Sequence, residues 1–280
     1  MVLFKFPYDF DMSNIEVLNH LMSTYKNINK DIGISSVYFA PFYQHSMSAR
    51  QYGDTGPATW ESYVEHIKYI IANGYTPDVL FQEPEKVLEE EVIQLYLDAG
   101  VKTFTVSVDE NAKTIRRLCP DAYIVASTTK VLSPTEIMNT DLSMYDEICL
   151  HFWYARNIKT IMELPKTHKY SIIVNALCCC TSTQCYEHWF GASRRGSFNC
   201  TSKYNKAYSS AIDDLEYFYP YIHTFKIQGL GNRLPAFARF EWFLQQVCGE
   251  IPGPIHPYEY YYDLGVDFPV MNKDIELDTP

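Results

Sequence analysis

The chain has 280 residues, 47% hydrophobic and 20% charged, enough apolar side chain for one large core or two small ones. A formal charge of -11 disfavours general affinity for nucleic acid, whose phosphates select basic surfaces. No apolar run reaches the roughly 18 residues of a membrane span, and MVLFKFPYDFDMSN lacks the pattern of a signal peptide, so the expectation is a cytoplasmic protein without membrane contact.

Short β-rich apolar runs alternate with amphipathic helical stretches along the chain. VLFKFPY (2–8) precedes a helix whose start, SNIE at Ser13 to Glu16, reads as a capping box. ISSVYFA (34–40) leads into PFYQHSMSARQYGDTGPA, long for a βα connection of about 2 to 6 residues and hence a candidate lid or substrate loop. TPDVLFQ (76–82) and VKTFTVSV (101–108) each follow a helix closed by glycine, at Gly74 and Gly100. AYIVAST (122–128) is followed by SPTE, with Ser133 as N-cap, Pro134 in the first turn and Glu136 three residues on. DEICLH (146–151), YSIIVNAL (170–177) and HTFKIQG (223–229) complete the strands, and a last helix is predicted over 235–248.

Eight strands, each followed by a helix in about 250 residues, is the count of an α/β (β/α)8 TIM-like barrel. The prediction is therefore one barrel domain over 1–249, with an open doubly wound sheet as the alternative. Residues 250–280, rich in proline and tyrosine, read as an extended C-terminal arm that covers the barrel or a partner subunit.

A barrel places its chemistry at the C-terminal ends of its strands. Those positions hold Asp9 and Asp11, Tyr43, His45 and Arg50, Gln82 and Glu83, Asp109, Ser127 and Thr128, His151, a cysteine-rich stretch, and Gln228. The stretch, NALCCCTSTQC (175–185), carries Cys178, Cys179, Cys180 and Cys185, and Cys200 follows in SRRGSFNC. Thiolates gathered without histidine pairs or carboxylates suit an iron–sulfur cluster or zinc better than magnesium or calcium. The competing reading is a set of buried free thiols.

VNALCCCTSTQC resembles the cysteine segment of the collagenase-like peptidase family, number thirty-two among peptidases of unassigned mechanism, with Cys178 and Cys185 on its first two cysteines and Cys200 on the third. IHTFKIQGLGNRLPAFA is similar to that family's FKIEG segment at Phe225, Lys226, Ile227, Gly229, Pro235 and Ala236, and AGVKTFTVSVDENAKTIRRLCPDAYIVASTT to a region upstream. The likeness covers roughly residues 95 to 245. It implies a barrel-like fold, a 4Fe-4S cluster held by cysteines, and oxygen-independent hydroxylation of ubiquinone precursors or RNA bases. Two positions depart from the pattern. No fourth cysteine lies between Cys200 and Lys226, and Gln228 and Leu230 replace an acid and an arginine. A fourth ligand would come from Cys179, Cys180, solvent, substrate or a partner chain. Cys248 is set aside, since about fourteen helical residues at 1.5 Å carry it roughly 21 Å from the strand mouths.

The first expectation is thus an iron–sulfur enzyme or enzyme subunit modifying a small organic or nucleobase substrate. His151 and Lys226 are the candidate proton carriers, and His45, Arg50, Gln228 and Arg233 the candidate substrate contacts. One alternative is a hydrolase or peptidase with structural or zinc-bound cysteines. Another is a non-catalytic subunit completed by a related partner chain. The acidic charge favours a small-molecule substrate over a folded nucleic acid.

Overall fold

A computed structural model describes residues 1–46, 56–83, 85–155, 157–174, 215–228 and 233–249. Within them eight parallel strands close into a barrel in sequence order: β1 (Val2–Pro7), β2 (Ile32–Phe39), β3 (Pro77–Phe81), β4 (Thr103–Val106), β5 (Tyr123–Ala126), β6 (Glu147–Cys149), β7 (Lys169–Ile173) and β8 (Thr224–Lys226). Closure is made by β1 against β8, with Leu3, Phe4 and Lys5 opposite Thr224, Phe225 and Lys226. The predicted (β/α)8 class holds, and the open-sheet alternative falls because no strand edge is left unpaired.

The helices among the described residues are α1 (Ser13–Lys26), α2 (Trp60–Ala72), α3 (Glu90–Asp98), α4 (Asp109–Leu118), α5 (Pro134–Asn139), α6 (Phe152–Ala155), α7 (Ile158–Glu163) and α8 (Arg233–Val247). Successive strand side chains alternate between helices and barrel interior. Phe4 and Phe6 of β1 face outward onto Phe240 of α8, at ring separations of 5.3 and 5.2 Å. Val37 and Phe39, Val79 and Phe81, Phe104 and Val106, and Ile124 and Ala126 continue this outer layer, which forms one large apolar cluster with the helices. A second, small cluster of Val125, Cys149 and Ile173 lies apart from it.

Local signals explain most helix ends. Ser133 and Glu136 form the predicted capping box at α5, the hydroxyl accepting from the Glu136 amide and the carboxylate from the Ser133 amide. Gly74 and Gly100, at φ 80° and 96°, end α2 and α3 as their sequence positions imply. The SNIE reading is corrected. Ser13 is already helical and makes no side-chain cap; instead its amide donates to Asp11 Oδ1 at 2.8 Å. A better acceptor two residues upstream displaced the serine from the capping role. The predicted arm, 250–280, lies outside the described residues. No helix among the described residues is long and apolar enough to cross a membrane.

Candidate functional site at the barrel interior and mouth

TIM barrels usually fill their interior with branched aliphatic side chains. Here the inward positions carry charge. Lys5 of β1, Asp78 of β3, Glu147 of β6 and Lys226 of β8 are each no more than 5% exposed. Lys5, Asp78 and Lys226 each stand alone between apolar neighbours, in VLFKFP, PDVLF and TFKI, while Glu147 opens EIC behind Asp146. Alternation sends those neighbours outward and the charge inward.

Lys5 Nζ lies 2.7 Å from Glu147 Oε1 and 3.9 Å from Asp78 Oδ2. Tyr123 donates its hydroxyl to Glu147 Oε2 at 3.0 Å, and Thr224 does so at 3.3 Å. Asp78 accepts from Thr105 Oγ1 at 2.9 Å and from Ser36 Oγ at 3.4 Å. Burial pulls the Lys5 ammonium toward deprotonation, but the attraction of Glu147 and Asp78 outweighs it and its pKa ends above the ordinary range. Glu147 shows the mirror image: burial pushes its carboxyl up, and Lys5 more than compensates, holding it below the usual value. The two form a permanently charged pair.

Asp78 and Lys226 behave oppositely. Burial raises the Asp78 carboxyl despite Lys5, Lys226 and Thr105. Burial lowers the Lys226 amine despite Cys149 and Asp78. Both shifts move the proton away from the lysine and onto the aspartate. Lys226 Nζ rests 4.1 Å from the centroid of the Tyr38 ring, and the Tyr38 hydroxyl donates to the Ile227 carbonyl at 2.5 Å, fixing the ring beside β8. The Cys149 thiol is pushed up by burial and is no thiolate nucleophile.

Above this layer, toward the C-terminal ends of the strands, lies a chain of neutral polar groups. Gln82 donates to Ser127 Oγ at 2.9 Å, Ser127 and Thr129 hydroxyls meet at 2.9 Å, and Thr129 and Ser107 at 2.6 Å. Gln82, Ser127 and Thr129 are buried. Three non-glycine residues in the left-handed region also fall on this face: Phe10 after β1 (φ 64°), Glu85 after β3 (φ 61°) and Val131 after β5 (φ 54°). Such conformations cost about 1 to 3 kcal/mol each and concentrate at functional faces.

The barrel is similar in fold to a solved U32 peptidase. The solved structure of the U32 peptidase Mk0906 superposes with a TM-score of 0.50 at 11% identity, covering 82% of this chain and 94% of that one. A putative spore coat polysaccharide biosynthesis protein E from Chromobacterium violaceum ATCC 12472 aligns at a TM-score of 0.41 and 15% identity, over 94% of this chain and 81% of that one. A scan against protein-family models and a search of curated proteins find no match.

Of the candidates from sequence, Lys226 lies buried in the barrel, and His151 is buried just past the C-terminal end of β6. The His151 carbonyl accepts from the amides of Tyr154 and Ala155 at the start of α6. Gln228 is half-buried at the end of β8, and Arg233 is the first residue of α8. His45 sits elsewhere, in an aromatic nest beside the β2 loop. Its ring is 5.0 Å from Trp60 and 5.4 Å from Phe42, and its Nδ1 is 3.1 Å from the Tyr96 hydroxyl. Burial lowers its pKa. Arg50, Cys178, Cys179, Cys180, Cys185 and Cys200 lie outside the described residues.

No cluster of three or more metal-ligating side chains occurs among the described residues. Fit to an iron–sulfur cluster therefore rests on the donor chemistry of the cysteines, which come in sequence after the C-terminal end of β7 at Ile173. Cys248 is at the opposite end: its Sγ meets the Tyr25 carbonyl, at the last turn of α1, at 3.7 Å. Sequence reasoning missed Lys5, Asp78, Glu147, Cys149 and Tyr38. The usable signal was a lone charge inside an apolar strand of a sheet covered on both faces.

Proposed function

We propose that this chain is a barrel enzyme, or an enzyme subunit, related to the U32 peptidase-like family, that modifies a small organic or nucleobase substrate at the C-terminal mouth in an oxygen-independent, hydroxylation-type reaction. The observation that carries the enzyme reading is the charged barrel interior. Four buried ionisable groups in a place that packing alone would fill with aliphatic side chains raise the cost of folding, and two of them hold shifted protons. Lys226, its pKa lowered by burial, is the candidate proton acceptor, and Asp78, raised by burial, the candidate donor. Lys5 and Glu147 tie β1 to β6 across the barrel interior.

Cys178, Cys185 and Cys200 are the residues that would hold a 4Fe-4S cluster, with zinc as the competing metal. When bound, such a cluster supplies electrons one at a time. The raised Cys149 thiol speaks against a cysteine hydrolase built on the described residues.

The test is metal content. Protein purified without oxygen is expected to contain about four irons and four sulfides per chain with visible absorbance, all reduced in Cys185→Ala. Zinc alone would move the reading to hydrolysis or a structural site, and no metal in either form would remove the cluster.

A further inference from the structure

The two interior lysines are direct neighbours. Lys5 and Lys226 face each other across the β1–β8 pair that closes the barrel, both buried. Lys5 has its carboxylate at 2.7 Å, whereas none of the ion pairs among the described residues includes Lys226. Its amine lies on an aromatic face instead. A buried amine beside a second, permanently charged ammonium is the arrangement that turns a lysine into a nucleophile.

The opposite wall supplies a second observation. In an eight-stranded barrel β4 is diametrically across from β8. The neutral chain Gln82, Ser127, Thr129 and Ser107 spans the ends of β3, β4 and β5, and so faces β8 across the mouth. It holds hydroxyls and an amide, donors and acceptors without net charge, and suits hydroxyl groups better than a carboxylate or phosphate.

From this juxtaposition we infer that Lys226 captures a small hydroxylated aldehyde or ketone as an imine, with the Gln82–Ser127–Thr129–Ser107 chain holding the hydroxyl end of the same molecule. The Nζ lone pair attacks the carbonyl carbon and the carbonyl π pair moves to oxygen. Both N–H hydrogens pass to that oxygen, which leaves as water while the C=N bond forms. Atoms and charge balance without an oxidant or reductant. The groups that set the amine's protonation are Cys149, Asp78 and Glu147, which favour the ammonium, and Lys5, which with burial favours the free amine; the Tyr38 phenol faces the same nitrogen through its ring. The inference rests on the barrel mouth as the active site and is independent of the cluster.

Full-length protein is incubated with dihydroxyacetone or glycolaldehyde and cyanoborohydride near pH 7, and the modified lysines are mapped by mass spectrometry. The expected result is trapping at Lys226 at least about tenfold faster than at exposed lysines such as Lys102, because the free amine is the reactive form and surface lysines are almost fully protonated. Lys5, buried but paired, serves as the internal control and stays unmodified. Lys226→Arg loses the fast adduct. Mapping the wild type alone suffices if that variant fails to fold. Trapping at Lys226 no faster than at Lys102, or equal trapping of Lys5 and Lys226, overturns the inference. Metal content measured on the same sample reports separately on the cluster, so the two readings fail independently.

Discussion

Replacing Lys5 with methionine tests the account of the barrel interior most sharply. Lys5 and Glu147 are 2% and 1% exposed and their charged atoms 2.7 Å apart. At that distance, with an effective dielectric constant near 20, their attraction is about 6 kcal/mol, and desolvation of both groups offsets most of it. Removing one partner forfeits the attraction and leaves the desolvation of the other, so Lys5→Met is expected to cost about 3 to 5 kcal/mol. At about 2 to 4 °C per kcal/mol for a domain of this size, the melting temperature falls by roughly 10 °C. The double variant Lys5→Met/Glu147→Gln, which keeps an acceptor for Tyr123, should recover to within about 1 kcal/mol of wild type. The pH dependence has a definite sign. Glu147 is depressed, so its contribution is present above the ordinary glutamate value of about 4.3 and is lost as pH falls through its folded value. Lys5 is raised, so its contribution is present below about 10.4 and is lost as pH rises through its folded value. The wild-type advantage over Lys5→Met is therefore a plateau across neutral pH that closes at both extremes. Urea unfolding of the four proteins of the cycle decides it. Additive single-variant effects, or single variants within about 1 kcal/mol of wild type, would refute the buried-pair reasoning.

Lys226→Met should act in the opposite direction, raising the melting temperature by a few degrees, because it removes a buried amine outside the ion pairs of the described residues. A fall as large as that of Lys5→Met would make Lys226 structural. Glu85→Gly relieves a left-handed glutamate on an exposed loop and should stabilise by about 1 kcal/mol in denaturant titration. Gly100→Ala should cost about 1 to 2 kcal/mol, since φ is 96° and the new Cβ would stand 2.9 Å from Ile71 Cδ1. Metal analysis of Cys185→Ala, with loss of iron, sulfide and colour together, checks the proposed cluster.

Strand positions were legible because they depend on local pattern. VLFKFPY, TPDVLFQ and DEICLH each contain the strand observed, Val2–Pro7, Pro77–Phe81 and Glu147–Cys149, with boundaries off by one or two residues. Gly74 and Gly100 marked helix ends by a conformation that few other residues accept. The interior charges were harder to see. Lys5 lies 73 residues from Asp78 and 142 from Glu147, and which carboxylate meets it depends on barrel closure, which no local window encodes. Lys226 and His151 stood out by residue type and by position at strand ends, but a strand end reads as a rim until, as for Lys226, the register of the neighbouring strand shows how deep it lies. Ser13 misled for a local reason, because Asp11 competes for the same amide.

The ion pair that joins β1 to β6 also bears on how the chain reaches this state. Lys5 belongs to the first strand to be made and Glu147 to the sixth, and neither can leave water at low cost until the other arrives. A nascent chain holding only β1 to β4 offers Lys5 only the longer contact to Asp78, which leaves its ammonium poorly paired while the outer aromatic layer collapses onto its helices. Lys5 meets its carboxylate only when β1 comes round beside β8. Closure is then a late, all-or-none event, long in contact order and slow. Fragments cut between β4 and β5 would be poor folders alone and good complements of one another, since Lys5 in one meets Glu147 in the other.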